Sequence, residues 1–116
     1  IYDETKTKRD YPIAVLINSS SASASEILAA SLKESYGAEV VGVNSYGKGT
    51  VQRAYQLENG ATVKYTIQKW LTPDGNWINE VGVEPTLRVE MNVDYYQNPS
   101  DETDNQLQEA LKKVAE

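Results

Sequence analysis

The sequence predicts an α/β domain in which a β-α-β unit is followed by a β-hairpin and a C-terminal helix. Two short apolar runs rich in β-branched residues flank a segment of helical length, as expected for parallel strands joined by a helix. An Asn-Gly pair then separates two alternating segments, which is typical of a hairpin. Residues 101–116 place apolar side chains at helical spacing.

The β-α-β unit is predicted over residues 13–43. Residues 13–17 read Ile-Ala-Val-Leu-Ile, an unbroken apolar run that suits a strand buried on both faces. The Ser/Ala-rich stretch that follows forms a tight turn into a helix over 24–36, with Leu28 among its regularly spaced apolar residues and Gly37 just beyond its end. Residues 39–43 supply the second buried strand.

The hairpin is predicted to pair residues 51–57 with residues 61–70, with Asn59-Gly60 in a type I′ turn at its tip. Residues 87–90 are expected to form a short last strand. Residues 101–116 are expected to form an amphipathic helix. Its apolar face would consist of Leu107, Ala110, Leu111 and Val114.

Composition excludes several classes of function. The chain has 116 residues, enough for one domain, and a formal charge of −6, which argues against a nucleic-acid partner. No apolar run approaches the ~20 residues of a membrane span. Cysteine and histidine are both absent, so thiol catalysis, a Ser-His-Asp triad and His-ligated metals are excluded. Nucleophilic catalysis would need another base, for which lysine is the leading candidate.

Ser23 is a candidate nucleophile because it lies at the predicted helix N-terminus. Free backbone N–H groups and the positive end of the helix dipole favour developing negative charge there. The N–H of Ala24 would point at the oxyanion of an attacked carbonyl. Ser23-x-x-Glu26 also matches a capping box, which is the commoner role of this pattern, so both interpretations stay open.

Lys48 lies between Gly47 and Gly49, whose lack of side chains lets the backbone pack closely and the lysine reach inward. A lysine removed from water gives up its proton more readily and can act as a base, whereas a solvated loop lysine cannot. Gln52 could accept a hydrogen bond from the ammonium if the chain kinks near Gly49. Otherwise Gln52 is a polar strand residue that faces solvent.

The same loop matches the start of a nucleotide-binding P-loop, G-x-x-x-x-G-K, over residues 42–48. The next residue is Gly49, where the motif requires a Ser or Thr for magnesium, and the chain continues as a strand instead of a helix. Nucleotide binding is therefore rejected.

Several segments together resemble the carboxyl-terminal processing peptidases, the tail-specific serine proteases of bacteria and chloroplasts. They are residues 21–29 (SASASEILA), Gly42, 47–52 (GKGTVQ), 81–85 (VGVEP), and Gln106-Leu107 followed by Ala110-Leu111. The resemblance runs from about Pro12 to the end of the chain. Thr86 stands where the family usually has an Asp.

The resemblance implies a serine endopeptidase that cuts proteins or peptides near their C-termini without a cofactor or metal. Ser23 would be the nucleophile, Lys48 the base and Gln52 the residue that orients it. Lys48 would take the Ser23 proton as an acyl-enzyme forms, return it to the leaving amine and then activate water. The resemblance also implies Clp peptidase- or crotonase-like layering and a place outside the bacterial cytoplasm.

Residues 1–116 are expected to form the C-terminal part of such a protease core. The family's Gly-rich strand, which supplies a second oxyanion donor, and its PDZ domain have no counterpart here. Since one lost oxyanion donor typically costs ~10²–10³-fold in rate, the piece is expected to be weakly active or inactive. Free sheet edges could pair between copies into a homo-oligomer. The alternative is a non-catalytic interaction domain that docks a partner through a sheet edge or through Leu107 and Leu111.

Overall fold

The computed structural model describes residues 5–116. In this part of the chain the strands are β1 (Ala14–Ile17), β2 (Glu39–Gly42), β3 (Thr50–Gln56), β4 (Thr62–Lys69) and β5 (Leu87–Arg88). The helices are α1 (Ala24–Ser31), α2 (Val93–Gln97) and α3 (Asn105–Ala115), and a π-helical segment, Leu32–Tyr36, continues α1. None of these helices is both long and apolar enough to cross a lipid bilayer.

A three-stranded parallel sheet in the order β1-β2-β5 organises the domain, which confirms the predicted α/β class. Ile17 of β1 lies opposite Gly42 of β2, and Val41 of β2 lies opposite Leu87 of β5. The composition of β1 predicted burial on both faces, and this prediction is wrong. Leu16 is 43% exposed because it faces an open cleft beneath α2.

The helix after β1 packs on the sheet through very small residues. The core consists of Ile17, Ala29, Ala30, Val40, Ile78 and Val83. The predicted helix 24–36 is present, but it changes from α to π geometry at Leu32 before the left-handed Gly37 (φ 82°) ends it. Leu28 is exposed, because the buried face is formed by Glu26, Ala29 and Ala30.

β3 and β4 form the predicted hairpin, with register from Thr50↔Lys69 to Gln56↔Thr62. The predicted type I′ turn is wrong. The Gly60 N–H donates to the Leu57 carbonyl at 3.0 Å and Gly60 is left-handed (φ 85°), whereas Asn59 is not. Leu57 pairs with Ala61, so three residues lie in the loop, and such a loop needs a left-handed residue only at its last position.

The C-terminal elements differ from their predicted bounds. β5 ends at Arg88, and α2, which the sequence analysis missed, follows it. α3 begins four residues later than predicted, because the Asp104 carboxylate accepts from the Leu107 N–H at 2.9 Å and caps the helix. Ala110 is buried as predicted, but Leu111 is 50% exposed.

Candidate active site

Ser23 lies on a sharp turn between β1 and α1. Its backbone has φ 58° and ψ −121°, and the Ser25 N–H donates to the Ala22 carbonyl at 3.3 Å across it. These angles belong to the first central position of a type II′ turn, which glycine normally fills. For a serine the conformation costs on the order of 1–3 kcal/mol, and such strain clusters at functional sites.

Ser23 is the N-cap residue of α1 and forms a capping box with Glu26, as the sequence allowed. Ser23 and Glu26 are arranged as a capping box, and the Glu26 carboxylate accepts from the Ser23 N–H at 2.9 Å. The Glu26 N–H, however, donates to the Ser23 backbone carbonyl at 3.0 Å. The Ser23 hydroxyl faces the Glu26 N–H in this capping box, although no hydrogen bond of normal geometry joins these two groups in residues 5–116.

The N–H of Ala24, the first residue of α1, has no acceptor in the described part of the chain. Free N–H groups in the first turn of a helix, together with the helix dipole, favour a negative charge placed beside them. The expected role of Ala24 as an oxyanion donor next to Ser23 stays a prediction.

The Glu26 carboxylate joins the Ser23 turn to the glycine-rich loop. Glu26 is fully buried (0% exposed). Its Oε2 accepts from the N–H groups of Ser23 and Lys48, each at 2.9 Å, so these two nitrogens lie within about 6 Å of each other. Its Oε1 accepts from the Ser45 hydroxyl and from the Gly47 N–H at 2.6 Å. One side chain thus fixes the backbones of both candidate residues.

Burial raises the pKa of the Glu26 carboxyl, but hydrogen bonds outweigh burial and lower the pKa below its ordinary value. The donors are the Ser45 hydroxyl and the N–H groups of Gly47, Lys48 and Ser23. A carboxylate that accepts several N–H bonds holds its negative charge in this way. The Gly47 and Lys48 N–H groups, which would bind phosphate in a P-loop, are thereby occupied, and β3 follows the loop at Thr50.

The glycines around Lys48 are required by close backbone contacts, as the sequence predicted. A Cβ on Gly49 would lie 2.4 Å from the Asn79 nitrogen, and Gly47 adopts φ 93° against the backbone of Glu80. Of the two possibilities that the sequence left open for Lys48, a buried base or a solvated loop residue, this chain shows the solvated one. Gly47 and Gly49 are buried against the backbone of Glu80 and Asn79, whereas the side chain of Lys48 between them is exposed.

Lys48 and Gln52 reach the same open cleft, of about 670 Å³. The cleft is lined by Ser19, Ser20, Ala22, Tyr46, Lys48, Thr50 and Gln52. A register shift lies between Val51 and Gln52, within β3 and beyond Gly49, where the sequence analysis allowed for a kink. In residues 5–116 neither the Lys48 ammonium nor the Gln52 amide makes a hydrogen bond. Ser23 itself does not line this cleft, but its neighbour Ala22 does.

Two site residues were missed as such by the sequence analysis. Glu26 was interpreted only as a capping residue, and Ser45 was not considered. The Ser45 hydroxyl donates to Glu26 and accepts from the Val83 N–H at 2.6 Å. The role of Glu26 could have been found from its position in the helix. Glu26 shares the buried helix face of Ala29 and Ala30, where a carboxylate requires several hydrogen-bond donors.

Solved structures share this architecture. The photosystem II D1 C-terminal processing protease is 39% identical, with a TM-score of 0.62, over 68% of this chain and 20% of that one. Mature CPAF complexed with lactacystin is 25% identical, with a TM-score of 0.72, over 90% of this chain and 21% of that one. The chain therefore has the α/β fold found in C-terminal processing proteases, which confirms the predicted fold class.

Residues 1–89 match peptidase family S41, and the chain belongs to this family. The carboxy-terminal processing protease CtpB of Bacillus subtilis strain 168 is 51% identical over 89 residues, which cover 77% of this chain and 18% of that protein. CtpA of the same strain is 46% identical over 88 residues, covering 76% and 19%. The chain thus spans about a fifth of the length of these relatives. The family resemblance seen in the sequence is confirmed.

Proposed function

We propose that this chain carries the nucleophile and the base of a serine endopeptidase that cuts peptide bonds near protein C-termini. Ser23 is the nucleophile, Lys48 the general base, Gln52 the residue that orients the lysine and Ala24 an oxyanion donor. The observation that carries the proposal is the strained backbone of Ser23 (φ 58°) at the N-terminus of α1, beside the free Ala24 N–H. Such strain clusters at functional sites.

The contacts of Glu26 support the pairing of Ser23 with Lys48. Both backbone N–H groups donate to the same carboxylate oxygen, so the two side chains start from neighbouring points. Lys48 is exposed in this chain, and a working base would be removed from water by substrate or by further protein around the cleft. A Gln52 carbonyl oxygen across that cleft would then accept from the ammonium.

The chemistry needs only these groups. The neutral Lys48 amine takes the Ser23 proton while Oγ attacks the carbonyl carbon, and the oxyanion forms beside the Ala24 N–H. The resulting ammonium gives its proton to the leaving amine, and the acyl-enzyme remains. Lys48 then activates water, which releases the acid and restores Ser23.

We infer that the 116-residue chain by itself is weakly active or inactive. It spans about a fifth of its relatives, and residues 5–13 contain no glycine, whereas the family resemblance implies a Gly-rich strand that supplies a second oxyanion donor. One missing donor costs on the order of 10²–10³-fold in rate. For the parent protein we propose protein or peptide substrates and a location outside the bacterial cytoplasm.

A phosphonylating probe tests the nucleophile without requiring peptide binding. The chain is incubated with a small fluorophosphonate, and the modified residue is located by peptide mass spectrometry. We expect slow labelling of Ser23 that is lost in Ser23→Ala and falls about tenfold or more in Lys48→Ala. Ser25→Ala, which removes a neighbouring hydroxyl, is the matched control and should label like the wild type. Equal labelling of the wild type and Lys48→Ala would contradict the assigned base.

The second candidate is a non-catalytic interaction domain, favoured by the exposure of Lys48 and by Leu111, which is 50% exposed on α3. This function requires no reactive serine. Labelling that is unchanged in Ser23→Ala, combined with partner binding that is lost in Leu111→Ser, would favour the interaction domain. Specific labelling of Ser23 would favour the peptidase.

A further inference from the structure

Glu26 accepts more hydrogen bonds than its place in the helix requires. A capping box uses only the bond from the Ser23 N–H to the carboxylate. The carboxylate also accepts from the Ser45 hydroxyl and from the N–H groups of Gly47 and Lys48, which lie 19 to 22 residues away along the chain. Local helix capping therefore does not explain the bonds that Glu26 makes to this loop.

The burial of Glu26 is costly for a residue that only packs against its neighbours. The residue is 0% exposed, and in residues 5–116 no lysine or arginine forms an ion pair with its carboxylate. A buried charge lowers stability unless several donors face it, and an apolar side chain of similar size would avoid this cost. A carboxylate at this position therefore indicates a role for the bonds that it accepts.

The contacts of Glu26 differ from the other side-chain contact that holds the loop around Lys48. The Asn79 side chain accepts from the Gly49 N–H at 3.2 Å, but it makes no bond to Ser23. Within residues 5–116, Glu26 is the one side chain that accepts hydrogen bonds from both Ser23 and Lys48. Its carboxylate therefore links the candidate nucleophile to the candidate base.

We propose that Glu26 is a positioning residue whose carboxylate sets the separation between the Ser23 and Lys48 backbones. Both N–H groups donate to the same oxygen at 2.9 Å, so a displaced carboxylate would move one backbone relative to the other. A misplacement of about 1 Å can cost on the order of 10²-fold in rate. Ser45 supports the arrangement by donating to the second oxygen. This role rests on the proposed function, because it concerns the same serine and lysine.

A second link joins the two segments and should keep them together when Glu26 is changed. The Tyr46 N–H donates to the Ser21 carbonyl at 2.8 Å. Glu26→Gln preserves the length and shape of the side chain but turns an NH₂ group towards hydrogen-bond donors. We therefore expect a folded variant in which the geometry between Ser23 and Lys48 is altered.

A double-mutant cycle with Lys48 tests the positioning role. The measured quantity is the rate at which a small fluorophosphonate labels Ser23, divided by the folded fraction that urea unfolding and circular dichroism give. We expect Glu26→Gln to lower this rate about tenfold or more. In the Lys48→Ala background the same change should lower it by less than about twofold, because no base is left to position.

Two further variants separate positioning from stability. Val40→Ala is the control, since Val40 is fully buried in the core and makes none of the hydrogen bonds to Glu26. It should lower stability and leave the labelling rate per folded molecule unchanged. Ser45→Ala is the milder variant and serves if Glu26→Gln does not fold. It removes one donor to the carboxylate and should lower the rate about threefold or more, again only while Lys48 is present.

The outcomes distinguish this role from the proposed function. If Glu26→Gln or Ser45→Ala lowered the rate by the same factor with and without Lys48, the positioning role would be overturned, because the change would then act on Ser23 alone. An unchanged rate in a folded Glu26→Gln variant would overturn it as well. If Ser23 is not labelled, or if the wild type and Lys48→Ala are labelled equally, the proposed function fails and the positioning role fails with it.

Discussion

Ser23 holds a costly backbone conformation at the N-cap of α1. Selection for stability alone would favour glycine at this turn, because glycine reaches φ 58° without a steric penalty. A serine in this place therefore indicates a function for its oxygen. The same inference does not extend to Ser25, whose position in the first turn of α1 is ordinary helix.

We expect Ser23→Gly to raise the free energy of unfolding by about 1 kcal/mol, because it removes the strain. Ser23→Ala keeps the strain and should change stability by less than about 0.5 kcal/mol. Urea unfolding followed by circular dichroism measures both. Ser25→Gly, the control, should lower stability by about 0.5–1 kcal/mol. A Ser23→Gly variant less stable than the wild type would show that the hydroxyl stabilises the turn.

Glu26 should give stability a specific dependence on pH. Its folded-state pKa is lowered, so its contribution is fully present above the unfolded-state value of about 4.3. The contribution is lost as the pH falls through the lower folded-state pKa. Glu26→Gln should cost about 2–4 kcal/mol at pH 7, because an amide NH₂ would face donors that need an acceptor.

Urea unfolding of the wild type and Glu26→Gln between about pH 7 and pH 3 measures this dependence. We expect the difference between the two proteins to shrink as the pH falls below about 4. Glu102→Gln, which removes an exposed carboxylate, should show no such narrowing. A difference that stays constant down to pH 3 would contradict the role of the Glu26 charge.

Part of the candidate site could be predicted from residue types alone. Ser23, Lys48 and the surrounding glycines follow from local patterns, and the absence of histidine leaves lysine as the base. The sequence left open whether Lys48 is buried or exposed, because its exposure depends on which backbone Gly47 and Gly49 contact. The role of Glu26 was equally hidden, since its partners at Ser45, Gly47 and Lys48 lie at least 19 residues away.

Thr86, the residue before β5, links β5 to β2 through hydrogen bonds. Its hydroxyl accepts from the Val40 N–H at 2.8 Å and donates to the Glu39 carboxylate at 2.6 Å, while its own N–H donates to the Val40 carbonyl at 2.8 Å. An Asp could accept from Val40 but could not donate to Glu39 when ionised. The departure of this sequence from the family pattern at Thr86 therefore fits the presence of Glu39.

We expect Thr86→Asp to lower the free energy of unfolding by about 1–2 kcal/mol at pH 7, because it loses a hydrogen bond and places two carboxylates together. Thr86→Ser keeps the hydroxyl and should cost less than about 0.5 kcal/mol. Denaturant unfolding measures both changes. Adding Glu39→Gln should recover part of the loss in Thr86→Asp, and strictly additive effects would show that the two side chains do not interact.

The elements that the sequence predicted well are those with a strong local period. β1, β2 and the hairpin strands have β-branched or alternating residues, and their pairing follows from chain order. α2 was missed because five residues contain no helical period. The hairpin turn was misassigned because Asn59-Gly60 also fits a longer loop in which Gly60 alone is left-handed.

The whole molecule is flat and extended, at 57 × 45 × 20 Å, with its small core beside the parallel sheet and the hairpin away from it. A core of this composition, with Ala29 and Ala30 among its members, buries little apolar area per residue. One side of the hairpin, which carries Tyr55, Val63 and Tyr65, holds several of the larger apolar side chains outside that core. Covering this side, by a second copy or by another protein element, would therefore add a substantial part of the apolar burial that supports the fold.

The sequence analysis allowed for a homo-oligomer. If two copies associate through the apolar side of the hairpin and this supports the fold, the thermal midpoint should depend on protein concentration, since a dimer that dissociates on unfolding is stabilised by mass action. Each tenfold rise in concentration adds about 1.4 kcal/mol per mole of dimer, which raises the midpoint by several degrees for a domain of this size. Calorimetry of the wild type at about 10 and about 300 μM should show this rise. Tyr65→Glu places a charge on the apolar side of the hairpin and should lose the concentration dependence. Thr66→Glu places the same charge on the opposite side and should keep it. A wild-type midpoint that is equal at both concentrations would mean that each chain folds independently of its copies.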